Sequence, residues 1–231
     1  MRKKHVSIFT LVIVLGLAVS LYFYTWIRKP VGNRLEGIRA LVIIAEGFDY
    51  TEYTGVVSYL KKEGAEVDTA SFTVKRIEGH GGSCVPDTTF NEINVSHYHV
   101  IFIPGGDGPY NIIRHENNQT VFKILTEGFQ QGKIIAAICH GPWVLAAADL
   151  VNGINVTCWP DQEMIEDLKA HGALVDTRKS VVRDGNIVTA NGPAAINPFA
   201  EEIVSVAVEK YKSVAPYSNG LQRLIMGSRF S

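Results

Sequence analysis

Cysteine is scarce in this chain and charge is balanced: three Cys (Cys84, Cys139, Cys158) stand in 231 residues, with 22 basic and 23 acidic side chains. Three widely spaced Cys form neither a zinc pattern nor a disulfide framework. In an exported domain Cys84 and Cys158 could pair and leave Cys139 free. A net charge near zero leaves no electrostatic footprint for nucleic acid. Internal repeats and low-complexity segments are missing as well. His97 and His99 stand together at the start of a strand without a third ligand, so no metal site is expected. Asn94, Asn118 and Asn155 open glycosylation sequons, which matter only in an exported eukaryotic-type context. What remains is ample apolar material, 46% of residues, enough for a sizeable core.

The chain is organised around residues 134–148, IIAAICHGPWVLAAA. The apolar run from Ile134 to Ile138 reads as a fully buried strand. Cys139-His140-Gly141-Pro142 ends it, and a helix-forming run follows. Pro142 suits a first helical turn, and Gly141 allows a sharp bend before it. Strand, tight turn and helix with a thiol on the turn make a nucleophile elbow. The helix N-terminus is expected to lower the pKa of Cys139. A buried, inert Cys at a strand end is the competing structural reading.

Strands alternate with helices along the rest of the chain. Residues 31–38 read as a linker, and residues 39–45 as a buried strand. A helix follows over 49–64, then strands over 65–72 and 98–103, and a helix over 119–131 leading into the elbow strand. Beyond the elbow come a short strand (155–159), a helix (161–171), a hairpin around Asp184-Gly185 (180–189) and a closing helix (198–211). The tail from 213 to 231 reads as peripheral. This alternation predicts an α/β fold with a mostly parallel sheet covered on both faces.

Chemistry in such sheets collects at the carboxyl ends of the strands. Cys139 leaves one. Gly105-Gly106 leaves another, where small residues allow backbone N–H groups to serve as an oxyanion hole or simply make a turn. Glu52 stands one helical turn past the first strand. It is either the far end of an Asp49-x-x-Glu52 capping box or an acid that donates a proton to the thiolate. Trp159 reads as a pocket wall or a core residue.

These residues resemble a family. Ala136–Ile138 with Cys139-His140-Gly141-Pro142, the strand end Ile103-Pro104-Gly105-Gly106 and Ala45-Glu46-Gly47-Phe48 with Glu52 are similar to the ThiJ/PfpI family. That family includes the parkinsonism-associated deglycase and the PfpI-type intracellular peptidases. The resemblance covers residues 39–211 and takes in Ala70-Ser71-Phe72, His80-Gly81 and Asp184-Gly185-Asn186. It implies a flavodoxin-like three-layer sandwich within the class I glutamine amidotransferase-like superfamily. It also implies a Cys139 nucleophile, Glu52 as the acid touching it, and Gly105 and Gly106 N–H groups near the oxyanion, with no cofactor. The chain departs from the PfpI-type peptidases at one position. There a Glu from a neighbouring subunit completes the Cys-His pair, and the matching residue here is Tyr110, which cannot be an anionic orienter. The Glu52, Cys139, His140 set instead matches cofactor-free glyoxalase and deglycase members, which act on small 2-oxoaldehydes or glycated protein. A cysteine peptidase or amidohydrolase is the second reading and a redox-sensing chaperone the third. A homo-oligomer is compatible with all three.

Residues 1–30 stand apart. Met1-Arg2-Lys3-Lys4-His5 is basic, and residues 6–27 carry no charge before Arg28-Lys29-Pro30. This run is long enough to span a bilayer and longer than a signal-peptide core, and its aromatic end suits the membrane interface. An uncleaved N-terminal transmembrane helix is expected, with the domain of residues 39–212 outside, and a cleaved signal is the alternative. Removing Arg2, Lys3, Lys4, Arg28 and Lys29 leaves 17 basic against 23 acidic residues, a mildly acidic globule. The full chain should therefore stay with membranes through an alkaline carbonate wash, and a chain starting near Val31 should come off. Intact protein with Met1 in the wash supernatant would refute the anchor, and a mature N-terminus at Leu21 would mark cleavage.

Overall fold

The structure, a computed structural model, describes residues 33–212. The expected membrane span and the C-terminal tail lie outside those residues. Among the described residues no helix is long and apolar enough to cross a membrane.

In chain order the first half comprises β1 (Arg39–Ile43), β2 (Phe48–Asp49), α1 (Tyr50–Lys62), β3 (Glu66–Ser71), β4 (Ile77–His80), β5 (Gly82–Cys84), β6 (Thr88–Thr89), β7 (Val100–Ile103) and α2 (Gly108–Arg114). Then follow α3 (Asn118–Gln130), β8 (Ile134–Ile138), α4 (Pro142–Ala147), β9 (Asn155–Val156), α5 (Gln162–Ala170), β10 (Leu174–Val175), β11 (Val181–Asp184), β12 (Ile187–Ala190) and α6 (Ile196–Tyr211). The main sheet runs β11-β12-β8-β7-β1-β3-β6. All its pairings are parallel except the β11–β12 hairpin.

The apolar runs explain the layering. Alternate residues of a strand face opposite sides, so a continuous apolar strand must be covered twice. Leu41, Ile43, Ile101, Ile103, Ile135 and Ala137 pack on one side with residues of α2, α3, α4 and α5. Val42, Phe102, Ala136 and Ile138 pack on the other with α1 and α6. The result is the α/β/α sandwich with a mostly parallel sheet. Its central strands β3-β1-β7-β8-β12 give the flavodoxin-like order, which reverses between β1 and β7, and ligands bind at such a switch point.

Several expectations need correction. The expected strand over 155–159 pairs only at Asn155 and Val156, and with β10 rather than the main sheet. The closing helix begins at Ile196, ahead of Pro198. The short strands β2, β4 and β5 form a separate three-stranded sheet. Cys84 packs with the α1/α6 side of the sheet and Cys158 with the opposite side, and both are free thiols; their pairing is excluded by the sheet between them. The expected linker also differs from a free one. Leu35 and Ile38 are buried, and Arg34 bridges Glu63 and Glu201 at 2.7 Å each. Tyr59 donates to the same Glu201 carboxylate at 2.6 Å, so residues 34 and 35 tie α1 to α6. Leu35→Ala should accordingly cost about 2–5 kcal/mol in urea unfolding, and no change would return the segment to a linker.

Candidate active site

The elbow forms as its residues predict. Cys139 follows β8 directly, and its N–H donates to Ala190 O at 2.8 Å. It adopts φ +60°, a left-handed conformation costly for a non-glycine residue and typical of functional turns. Gly141 lets the chain close: a Cβ there would lie 2.6 Å from Ile103 O and 2.9 Å from Ile138 O. Pro142 then opens α4 at its first position.

Glu52 arrives from the other side of the switch point. Asp49 caps α1 by accepting from Glu52 N at 2.9 Å. The reciprocal half of a capping box is missing, because Asp49 N donates to Gly105 O at 2.9 Å instead. The Glu52 side chain turns inward, fully buried, and Oε2 accepts from Gly105 N at 2.7 Å. Its other oxygen, Oε1, is buried without a hydrogen-bond partner among the described residues.

Gly105 packs against both Glu52 and Cys139 only because it has no side chain. A Cβ there would stand 2.5 Å from Cys139 Cβ and 2.8 Å from Glu52 Oε2. At Gly106, φ is +76° and a Cβ would meet Gly47 O at 2.4 Å. The expected oxyanion pair is therefore revised. The Gly105 N–H is engaged by Glu52, and the donors that reach the Cys139 sulfur are the N–H groups of Gly106 and His140.

The electrostatics also differ from expectation. Burial, then the nearby Glu52 charge, push the Cys139 thiol well above its ordinary value, against the two N–H donors. A helix of six residues does not overcome that desolvation. Burial likewise raises Glu52, to about 7, although Gly105 N–H favours its anion. The two groups titrate as a pair that strongly resists carrying two negative charges. His140 Nδ1 lies 3.4 Å from Sγ, and burial lowers the pKa of its imidazole while the charges of Asp161 and Asp107 oppose this.

The remaining candidates fall elsewhere. Tyr110 lies beside Trp143, and the Arg114 guanidinium sits 3.9 Å above its ring. Trp159 donates its backbone N–H to Cys139 O at 3.0 Å, and its half-exposed ring leaves no room for a Cβ at Gly192. Cys158 is buried and pushed up to about 12 by desolvation. His99 Nδ1 accepts from Arg39 N at 3.0 Å. No group of metal-ligating side chains is present among the described residues. The sequence took in His80 only with Gly81 in the resemblance and did not pair it with Asp107, whose Oδ2 lies 2.9 Å from His80 Nε2.

A parallel sandwich with a strained Cys elbow and a buried carboxyl at its switch point defines a class of α/β proteins built around a cysteine. The chain belongs to the DJ-1/PfpI family, whose profile matches residues 38–206. It is similar to a deglycase of Pyrococcus horikoshii, 32% identical over 73% of this chain and 99% of that one. It is also similar to the protein/nucleic acid deglycase 2 of Escherichia coli, 31% identical over 70% and 92%. Among solved structures, Drosophila melanogaster DJ-1beta matches with a TM-score of 0.67 and 27% identity, covering 82% of this chain and 96% of that one.

The raised carboxyl has a measurable consequence. A group whose pKa is higher in the fold than its ordinary 4.5 stabilises the fold fully below 4.5. That contribution is lost as pH rises to about 7. The melting temperature of wild type minus that of Glu52→Gln should fall between pH 4.5 and about 7 and level off above. A difference independent of pH would show that Glu52 titrates normally.

Proposed function

We propose that this chain is a cofactor-free, cysteine-dependent enzyme of the deglycase and glyoxalase type, acting on 2-oxoaldehydes free or attached to amines. The observation that carries this reading is the buried Glu52 carboxyl, raised to about 7, held by Gly105 N–H beside the Cys139 sulfur. A proton-exchanging group at that pKa suits acid and base work near neutral pH. The similarity to named deglycases supports the same class of substrate.

In this reading the Cys139 thiolate adds to the aldehyde carbon, and the carbonyl electron pair moves onto oxygen. That oxygen takes its proton from Glu52, and the Gly106 and His140 N–H groups stand ready for the transient negative charge. The ionised Glu52 then removes the proton from the same carbon, leaving an enediolate with the negative charge on the second oxygen. The hydroxyl proton of the first oxygen passes to the second, and Glu52 returns the carbon-derived proton to the neighbouring carbon. His140 is the second candidate base. The first carbon becomes a thioester and the second an alcohol, so one carbon is oxidised while its neighbour is reduced and no outside oxidant is needed. Water cleaves the thioester, releasing the 2-hydroxy acid and restoring the thiolate. In a glycated adduct, the amine is the group that sulfur displaces in the first step.

The peptidase reading is less well supported. Tyr110 occupies the orienter's position and supplies no charge there. Methylglyoxal should be converted to lactate by the wild-type protein and not by Cys139→Ser. Glu52→Gln should lose roughly 10²–10⁴-fold in turnover. Amine release from unmodified peptides without lactate formation would overturn the assignment in favour of a peptidase. Sulfenic acid at Cys139 with no turnover would favour a redox sensor.

A further inference from the structure

The N–H groups of Gly106 and His140 reach the Cys139 sulfur, and each is one end of a peptide unit whose other end is gripped from behind. A peptide is planar and trans, so its C=O and N–H point in opposite directions, and holding the oxygen aims the hydrogen. Gly105 O, on the plane that carries Gly106 N–H, accepts from Asp49 N at 2.9 Å. Cys139 O, on the plane that carries His140 N–H, accepts from Trp159 N at 3.0 Å. The first grip comes from the capped start of α1. The second comes from residues 157–161, which follow β9 and belong to no strand, so other contacts must hold Trp159 in place.

That hold is a pair of buried threonines. Thr157 N donates to Thr189 Oγ1 at 2.8 Å, and Thr157 Oγ1 donates to Lys179 O at 2.8 Å. Both residues are fully buried. β12 stands between β11 and β8 in the sheet, so its backbone groups are turned to those neighbours, and its reach to a segment lying across its face is through a side chain. Thr189 alternates with Val188 and Ala190, which pack on the α1/α6 side, and therefore points to the opposite side, where Cys158 packs. An apolar residue of the same shape would leave Thr157 N–H buried without a partner, which protein interiors avoid.

We propose that the Thr157–Thr189 pair is a positioning device for the His140 N–H: it fixes Trp159 N on Cys139 O, and the rigid peptide carries that hold to the donor at the sulfur. The same hold steadies the strained turn. Cys139 N donates to Ala190 O, the residue after Thr189, so β12 fixes one side of a residue at φ +60° through its backbone and the other side through the threonines. Neither threonine needs to touch substrate, because both act through Trp159 N and Cys139 O.

The inference rests on Cys139 being the nucleophile, and its first test needs no turnover. Alkylation by limiting iodoacetamide is followed by peptide mass in wild type, Thr189→Val, Thr189→Ser and Thr157→Val, with Cys84 as the internal reference. Thr189→Val should slow Cys139 relative to Cys84 roughly 3- to 10-fold, less than removal of a donor outright because the N–H is misaimed rather than lost. Thr189→Ser keeps the oxygen and should restore most of the rate. On 2-oxoaldehydes, Thr189→Val should lower kcat roughly 3- to 30-fold with KM nearly unchanged. Leu35→Ala, before β1, should lower the melting temperature and leave the Cys139-to-Cys84 ratio as in wild type, which separates aim from stability. An unchanged ratio in Thr189→Val would overturn the proposal, and so would an equal fall in Leu35→Ala. If Thr189→Val does not fold, Thr157→Val decides on the same ratio. A Cys139 that resists labelling in wild type would refute the nucleophile itself. If 2-oxoaldehydes are not turned over at all, the carbonyl reading fails while the alkylation series still decides the positioning role.

Discussion

The site depends on one close approach. Glu52 and Cys139 are 87 positions apart in the sequence, and their side chains meet against the backbone of Gly105. The carboxyl accepts the Gly105 N–H on one side, while on the other the glycine leaves no room for a Cβ against Cys139. Everything around this contact serves to hold it. Asp49 N bonds to Gly105 O and Asp107 N to Gly47 O, so the start of α1 is stitched to the end of β7. The strained Cys139 is supported by Ala190 O from β12. Three neighbouring strand ends thus over-determine a conformation that an isolated turn would relax.

That packing sets the chemistry by making desolvation the dominant electrostatic effect. A helix N-terminus and two N–H groups favour a thiolate, but a nearly buried sulfur facing a buried carboxyl pays more in lost hydration than these return. Removing both protons would place two anions in one dry pocket. The pair instead keeps a proton that either partner can hold, and the reaction proposed above starts from the minor state in which that proton has shifted from sulfur to oxygen. In that proposal a carboxyl raised to about 7 matters as much as the sulfur itself. Glu52 Oε1, buried without a hydrogen-bond partner among the described residues, costs stability in the resting fold, a cost commonly found at functional positions.

Much of this was legible in the residues because it is local. The elbow strand, the helix capped by Asp49 and the Asp184-Gly185 hairpin each carry their signal within a dozen positions. The layer arrangement followed from uninterrupted apolar strands that must be covered on both faces. What escaped depends on distant contacts. Strands of two to four residues such as Phe48–Asp49 and Gly82–Cys84 have no periodicity to detect. Arg34, between polar and glycine residues, looked like linker until Glu63 and Glu201 came into reach. The double glycine was recognisable as a donor pair, but which N–H faces the sulfur was decided by Glu52, 53 residues earlier. The thiol was placed correctly on its turn, while its proton affinity was misjudged because burial is a property of the whole fold.

The depth of the thiol also bears on what reaches it. Cys139 is only 7% exposed, and attack on a carbonyl requires the carbon to approach the sulfur along a narrow line with its oxygen turned toward donors. A peptide carbonyl is flanked by two chains and must bring both into that opening. An aldehyde carbon carries hydrogen on one side and needs the least space of any carbonyl. It is also the more electrophilic, so it tolerates a nucleophile whose thiolate is a minor species. For the enzyme proposed above, a recessed sulfur, a proton shared with Glu52 and a site without an anion at Tyr110 therefore favour small, reactive aldehydes over unactivated amides.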